Sequence, residues 1–214
     1  MLIIFDCDGV LVDSEMIASR ELATYLTDLG RPTMGEECRE AFTGLSIKAV
    51  GEKVRRDWSV DLPRDFVADL RERDRVAFER DLKAIPGVAA VLDELDRLGL
   101  RFCVASSGTP EKIRHSLTIT NLIARFDGHV FSASQVTHGK PAPDLFLLAA
   151  KTMGAAPDDC LVIEDSPAGV QAARAAGMRV LGFAGGAHCG RDYADKLKDT
   201  DAVFTDMTAL PKLI

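Results

Sequence analysis

Short apolar segments alternate with longer segments of helical periodicity along most of the chain. Such alternation predicts βαβ units, in which parallel strands form a sheet with helices on both faces. Glycines and prolines fall where these helices are expected to start and stop. Strands are predicted at residues 2–5, 101–107, 160–165 and 179–184, with weaker ones at 129–133 and 202–205, and helices at 87–98, 110–117, 143–153 and 167–176.

One long stretch, from residue 14 to residue 83, breaks this alternation because it has helical periodicity but no convincing strand. The stretch also holds 13 of the 26 basic residues of the chain. We therefore predict a small all-helical insertion at residues 14–83. It would divide the α/β sheet domain into residues 1–13 and 84–214.

Composition and charge bound the class of protein. A chain of 214 residues and 23.2 kDa fits one domain with an insertion, and it can bury a core without disulfides. A hydrophobic content of 47% and a charged content of 28% exclude a disordered or fibrous protein. The formal net charge of −7 disfavours nucleic-acid partners. A small anionic substrate stays compatible with that charge because a bound metal inverts the local field.

Several features predict a cytoplasmic protein without a membrane partner. No apolar run reaches the ~20 residues that a transmembrane helix needs. The N-terminal sequence MLIIFDCDGV lacks the basic start of a signal peptide. The five cysteines show no CxxC spacing, which indicates free thiols in a reducing compartment. We expect Cys103 and Cys160, inside apolar strand segments, to be buried.

Polar residues follow the predicted strands at their carboxyl ends, which is where parallel α/β sheets bind ligands. They comprise four carboxylates, one lysine, two serines and two glycines. In chain order these residues are Asp6, Asp8, Gly9, Ser106, Ser107, Gly108, Lys140, Glu164 and Asp165. Each piece alone has a structural interpretation, such as a turn, a loop or a helix N-cap. Their joint occurrence at strand ends favours a functional site.

The chemistry of this cluster points to a metal and a phosphoryl group. Four carboxylates cannot lie together ionised without a cation, and oxygen ligands without His or Cys favour Mg²⁺. Lys140 adds a second positive charge. Backbone amides at residues 6–9 and 106–108, with the Ser106 hydroxyl, can cradle a phosphoryl group. Glycines at the turns let the backbone approach a ligand closely.

Four segments carry a resemblance to a known family: FDCDGVLVDSE, VASSG, GKPAPDLF and IEDSPAGVQAARAAGM. Together they resemble the haloacid dehalogenase superfamily, in its β-phosphoglucomutase-like and sugar-phosphatase group. Within this group, the bacterial 6-phosphogluconate phosphatases share the opening motif. The resemblance spans essentially the whole chain. It implies a Rossmann-like, doubly wound parallel core and a helical cap domain formed by the insertion.

The resemblance also implies a role for each motif residue in a phosphatase reaction. Asp6 would be the nucleophile that becomes an aspartyl phosphate, and Asp8 the general acid and base. Ser106, with the neighbouring Ser107 and Gly108, would bind phosphoryl oxygens. Lys140 would orient Asp6 and neutralise charge.

The same resemblance implies the ligands of a Mg²⁺ cofactor. The side chains of Asp6 and Asp165 and the backbone carbonyl of Asp8 would hold the ion, and Glu164 would bind it directly or through water. The expected partner is a small phosphorylated metabolite, a sugar or sugar-acid phosphate by analogy with the group. A monomer, or at most a weak dimer, is expected.

Specificity is expected to come from the insertion. The loop with Gly44, Leu45 and Ser46 resembles the specificity loop of the group. Arg73 lies at the edge of the apolar stripe of a helix predicted at residues 63–82, so it either contacts substrate or pairs with charges of the insertion. The mutases carry Arg and His where this chain has Ile47 and Ala18, which favours a phosphatase over a mutase.

Other readings stay open at this point. Phosphonoacetaldehyde hydrolysis would need a cap lysine, for which Lys48 and Lys53 are candidates. Haloacid dehalogenation is disfavoured because the second acid, Asp8, is present. A phospho-accepting signalling domain uses similar residues, although the order of its motifs differs. His188, on a loop after a strand, is expected at the surface, with substrate contact as the alternative.

Overall fold

A computed structural model describes all residues, 1–214. The chain forms two compact units, Met1–Asp13 with Lys83–Ile214, and Ser14–Leu82. Lys83 thus belongs to the sheet unit and not to the insertion. Its carbonyl accepts a hydrogen bond of 3.0 Å from Asp13 N, on the other chain segment at this boundary. Val12 and Ala84 form an antiparallel bridge next to this bond. The outgoing and returning chain segments thus run side by side.

The sheet unit contains one six-stranded sheet in which every paired strand is parallel. Its strands are β1 (Leu2–Phe5), β2 (Arg101–Ser106), β3 (Val130–Ser132), β4 (Cys160–Glu164), β5 (Arg179–Phe183) and β6 (Ala202–Phe204). They lie in the order β3-β2-β1-β4-β5-β6. All six predicted strands are present, and the predicted doubly wound α/β class is confirmed.

The central strands are apolar because both faces of the sheet are covered. All four residues of β1 are buried, and Ile4 lies opposite Cys103 on one side and Val162 on the other. Cys103 and Cys160 are buried free cysteines, as predicted. This packing fixes the register of β1, and hence the place where its carboxyl end leaves the sheet.

The helical unit contains four helices: α1 (Glu15–Asp28), α2 (Gly35–Phe42), α3 (Ile47–Trp58) and α4 (Phe66–Asp81). Their apolar faces bury a common core. At its centre the rings of Tyr25 and Phe66 stack with centroids 5.3 Å apart. The predicted helix at residues 63–82 starts three residues later than expected, at Phe66.

Four further helices belong to the sheet unit: α5 (Val88–Arg97), α6 (Pro110–Ile119), α7 (Asp144–Thr152) and α8 (Pro167–Ala175). Both α6 and α8 start within a few residues of a strand end. In each, a hydroxyl at the N-cap, from Thr109 or Ser166, accepts a backbone N–H and a proline follows. No helix of the chain combines the length and apolar character needed to cross a bilayer.

The strand order reverses direction at β1 and β4: the chain fills one side of β1 first, then returns to β4 on the other side. A crevice opens at such a switch point, beyond the carboxyl ends of the two strands. Asp6 directly follows β1 and Glu164 is the last residue of β4. The topology therefore puts these two carboxylates at the same point of the sheet edge.

Candidate active site

Lys140 joins the carboxylates that follow β1 and β4. Its Nζ lies 2.6 Å from Asp6 Oδ1 and 2.5 Å from Glu164 Oε1, and only 4% of its side chain is exposed. Burial opposes the charged lysine, but the charges of Asp6 and Glu164 raise its pKa above the ordinary value. Lys140 thus lies between two acids that favour its charged form.

Asp165 completes a cluster of three buried carboxylates. Single oxygens of Asp6, Glu164 and Asp165 all lie within 4.8 Å of one another. Burial raises the pKa of Asp6 well above its ordinary value, and the attraction of Lys140 does not offset burial together with repulsion from the other acids. Burial and the charge of Glu164 raise the pKa of Asp165 as well.

This donor set fits a hard divalent cation. Lys140 contacts two of the three carboxylates, so with all three ionised the cluster would carry more negative charge than Lys140 neutralises. Its ligand atoms are all oxygens, the type that Mg²⁺ prefers in proteins. The residues Asp6, Glu164 and Asp165 therefore fit the metal that the sequence motifs imply.

Glu164 is held by the start of α8. Both the backbone N–H and the hydroxyl of Ser166 donate to Glu164 Oε2, each at 2.9 Å. A Cβ on Gly169 would lie 1.9 Å from Glu164 Cδ. The glycine therefore makes room for the carboxylate against the first turn of α8, and Glu164 is fixed by Ser166 on one oxygen and Lys140 on the other.

Ser106 ends β2, next to β1, and forms a small polar turn with the residues that follow it. Its hydroxyl accepts a hydrogen bond of 3.1 Å from Gly108 N. The hydroxyl of Ser132 donates to the Gly108 carbonyl at 2.6 Å. Because Phe5 and Val104 are in register, the turn of Ser106, Ser107 and Gly108 lies at the same sheet edge as Asp6.

Lys112 is a site residue that the sequence analysis missed. Its Nζ lies 2.9 Å from Asp8 Oδ2, across 104 positions of sequence. Lys112 belongs to none of the four motifs, and its only signal is its position in the first turn of a helix that starts close to the end of β2. Such a position points a long side chain toward the strand ends.

The expectation that His188 lies at the surface is wrong. The residue is 1% exposed, and its Nε2 lies 2.9 Å from Asp165 Oδ2. Its ring and the Tyr193 ring form a T-shaped pair, with centroids 5.0 Å apart. Glycines create the slot, because a Cβ would lie 2.9 Å from His188 Cε1 at Gly9 and 2.7 Å at Gly186. The loop after β5 therefore folds inward beside the acidic cluster.

A family model described as haloacid dehalogenase-like hydrolase matches residues 1–177. The chain belongs to this family. The result confirms the resemblance inferred from the four motifs, which place Asp6 after β1 and Lys140 after β3. Several curated relatives of this hydrolase are named as phosphatases.

Two curated relatives show how far the similarity extends. The 6-phosphogluconate phosphatase of Escherichia coli (strain K12) is 33% identical over 213 residues, which cover 99% of this chain and 93% of the relative. The phosphorylated carbohydrates phosphatase of Thermotoga maritima is 33% identical over 189 residues, which cover 84% of this chain and 83% of the relative.

Solved structures show the same fold over the whole chain. A conserved haloacid dehalogenase-like protein of unknown function from Agrobacterium tumefaciens is 38% identical, with a TM-score of 0.86 and coverage of 99% and 96% of the two chains. A family hydrolase from Deinococcus radiodurans, solved with bound phosphate and sodium, is 30% identical, with a TM-score of 0.79 and coverage of 98% and 92%.

The predicted specificity residues of this family member lie in the helical unit. Gly44 has a positive φ of 80°, Leu45 is 41% exposed, and the Ser46 hydroxyl caps α3. Arg73 pairs with Asp28 at 2.9 Å and lies over the Tyr25 ring, 4.4 Å from its centroid. Pairing within the insertion was one of the two predicted roles of Arg73.

Proposed function

We propose that this family member is a Mg²⁺-dependent phosphomonoester hydrolase that works through an aspartyl-phosphate intermediate at Asp6. One observation carries the proposal: the Asp6 carboxylate lies at the end of β1, fixed by Lys140 and beside Glu164 and Asp165. An acid that is buried, oriented by a lysine and adjacent to a metal-type donor set is suited to attack a phosphoryl group.

Two displacements at phosphorus account for the reaction. An oxygen of Asp6 attacks phosphorus, the bond to the leaving oxygen breaks, and Asp8 donates a proton to that oxygen. Water then attacks the same phosphorus, Asp8 accepts its proton, and inorganic phosphate departs as the Asp6 carboxylate is restored. This order uses Asp8 first as acid and then as base.

The other residues hold charge and geometry during these steps. Lys140 keeps Asp6 oriented and balances charge on the phosphoryl oxygens. The Ser106 hydroxyl and the amides of Ser107 and Gly108 bind those oxygens at the end of β2. Positioning and charge stabilisation are the main sources of catalysis in phosphoryl transfer.

Magnesium would be held by the side chains of Asp6, Asp165 and Glu164 and by the backbone carbonyl of Asp8. When bound, the ion supplies positive charge that stabilises the phosphoryl transition state. The excess of buried carboxylate charge over Lys140 supports this assignment.

The proposed substrate is a small sugar phosphate or sugar-acid phosphate. Relatives that are 32–33% identical to this chain are named as phosphatases of 6-phosphogluconate, of hexitols and of phosphorylated carbohydrates. Their names support this substrate class. We further propose that Ser14–Leu82 acts as the cap domain and that Gly44, Leu45, Ser46 and Arg73 contribute to specificity. Ile47 and Ala18, at positions where the mutases carry Arg and His, favour hydrolysis over mutase transfer.

A panel of sugar, sugar-acid and nucleotide monophosphates tests the proposal, with phosphate release measured in Mg²⁺ and in EDTA. Release that requires Mg²⁺, with a sugar or sugar-acid phosphate leading, is the expected result. Conversion of glucose 1-phosphate to glucose 6-phosphate without phosphate release would instead establish a mutase. Borohydride trapping on Lys48 or Lys53 with a phosphonoaldehyde would establish phosphonate hydrolysis.

A further inference from the structure

Each of the two aspartates that follow β1 faces its own lysine. Asp6 pairs with Lys140, at 2.6 Å, and Asp8 pairs with Lys112, at 2.9 Å. Lys140 comes from the loop after β3, whereas Lys112 comes from α6, which follows β2. Lys140 belongs to a motif of the site, but Lys112 has no role in the reaction described so far.

The local structure of α6 fixes the backbone from which Lys112 extends. The Thr109 hydroxyl accepts a hydrogen bond of 3.3 Å from Lys112 N, and Pro110 occupies the first turn. A Cβ on Gly108 would lie 3.4 Å from Lys112 Cδ, so the lysine stem runs across this glycine. The capped first turn of α6 thus holds Lys112 so that its side chain crosses the turn proposed to bind phosphate and reaches Asp8.

The Lys112–Asp8 ion pair is partly buried, and this burial allows it to orient the Asp8 side chain. The side chain of Lys112 is 32% exposed and that of Asp8 is 15% exposed. Ion pairs at full exposure contribute little, because water and salt screen them. A partly buried ion pair instead restricts the side-chain torsions of Asp8, which the backbone alone does not set.

Orientation matters at Asp8 because of its proposed task. A general acid must reach the leaving oxygen within hydrogen-bond distance, and small misplacements lower the rate strongly. We propose that Lys112 is the positioning residue of Asp8, holding its carboxyl group in the orientation from which it exchanges a proton with the leaving oxygen. This inference rests on the hydrolase function proposed above.

Two phosphate esters that differ in their leaving group separate this role from phosphate binding. Alkyl phosphates need protonation of the leaving oxygen, whereas p-nitrophenyl phosphate releases a stable phenolate and needs little. In Lys112→Met, which keeps the apolar stem, we expect kcat/KM for the best alkyl phosphate of the panel to fall about tenfold or more. The value for p-nitrophenyl phosphate should stay within about threefold, because acid catalysis contributes little to that ester.

Matched variants complete the experiment. In Asp8→Asn, kcat/KM for the alkyl phosphate should again fall more than that for p-nitrophenyl phosphate, and the fall should be larger than in Lys112→Met. Lys112→Arg should keep part of the alkyl phosphate activity that Lys112→Met loses. Arg114→Met, at an exposed cation of the same helix, should change neither value. Thermal unfolding checks that each variant folds, and Lys112→Gln replaces Lys112→Met if the latter does not.

Three results would overturn the inference. Equal losses on both esters would show that Lys112 binds the phosphoryl group, which the two substrates share. No loss on either ester would show that the ion pair has no role in the reaction. A wild-type enzyme that hydrolyses neither ester in Mg²⁺ would contradict the proposed function itself, and with it this role of Lys112.

Discussion

His188 Nε2 lies 2.9 Å from Asp165 Oδ2, and both side chains are almost completely buried. The imidazole occupies a slot that exists because Gly9 and Gly186 have no side chains. A buried group that holds a metal-type carboxylate in place controls how well that carboxylate can bind a cation. His188 therefore couples the loop after β5 to the acidic cluster.

Replacement of this histidine should weaken metal binding. In His188→Asn we expect Mg²⁺ or Mn²⁺ to bind about 10–100-fold more weakly, because Asp165 loses the group that orients it. Isothermal titration of the metal into the substrate-free protein measures this directly. His129→Gln, at an exposed histidine of the sheet unit, serves as the control. An unchanged metal affinity in His188→Asn would remove His188 from the support of the site.

The stability of the protein should depend jointly on pH and metal. In the metal-free site the pKa values of Asp6 and Asp165 are raised by burial, so the folded protein binds these protons more tightly than the unfolded chain. Their contribution to stability is present below the ordinary carboxyl pKa of about 4 and is lost as pH rises through the raised values. We expect Mg²⁺ to bind the ionised acids and to offset that loss.

Thermal unfolding at pH 5 and pH 8, with Mg²⁺ and with EDTA, measures this linkage. The rise in Tm on adding Mg²⁺ should be larger at pH 8, and Asp165→Asn should abolish most of it. Equal Mg²⁺ effects at both pH values, or an effect that persists in Asp165→Asn, would show that the cation binds elsewhere.

Replacing Gly169 with alanine should destabilise the protein, although the same change inside a helix usually stabilises it. Alanine for glycine inside a helix ordinarily stabilises by about 0.5–1 kcal/mol. At Gly169 the added Cβ would collide with the Glu164 carboxylate, which Lys140 and Ser166 hold in place. We expect Gly169→Ala to lose stability by about 1–3 kcal/mol and to lose most of its activity.

Urea unfolding and phosphate release test this expectation. Gly190→Ala, at a glycine outside the helices, is the steric control, because no atom lies within 4 Å of a Cβ at that position. A Gly169→Ala protein that is as stable and as active as the wild type would mean that Glu164 can move without consequence.

Lys140 should matter for both folding and catalysis. Lys140→Met leaves Asp6 and Glu164 buried without their cation, a loss that typically costs about 3–5 kcal/mol. Urea unfolding in EDTA at pH 8 measures this change, and phosphate release in Mg²⁺ should fall at least about 10³-fold. Lys151→Met, at an exposed lysine of α7, should change neither property. A fully active Lys140→Met enzyme would contradict the role given to the lysine.

The sequence was informative where local patterns determine structure. The apolar segments predicted all six strands within one residue at each end, because a doubly covered parallel strand must be apolar along its length. The polar residues at strand ends predicted the meeting of Asp6, Lys140, Glu164 and Asp165, since parallel topology brings those ends together.

Contacts that depend on side-chain packing across long sequence distances were beyond such patterns. Lys112 reaches Asp8 only because α6 starts close to the end of β2, and no motif marks that lysine. His188 is buried in a slot that needs Gly9, far away in the sequence, as well as the nearby Gly186. Composition likewise does not encode the backbone hydrogen bond between Asp13 and Lys83, which lies at the boundary of the two units.

The central claim is that Asp6 forms a covalent bond to the phosphoryl group. Its most direct test is acid quenching of the enzyme during turnover of p-nitrophenyl phosphate in Mg²⁺, followed by borohydride reduction and peptide mass spectrometry. An aspartyl phosphate at Asp6 is reduced to homoserine, so the account predicts homoserine at position 6 in the substrate-treated wild type. Untreated enzyme and Asp6→Asn should contain none. Sustained phosphate release by purified Asp6→Asn, or homoserine at another acid of the cluster, would contradict the account.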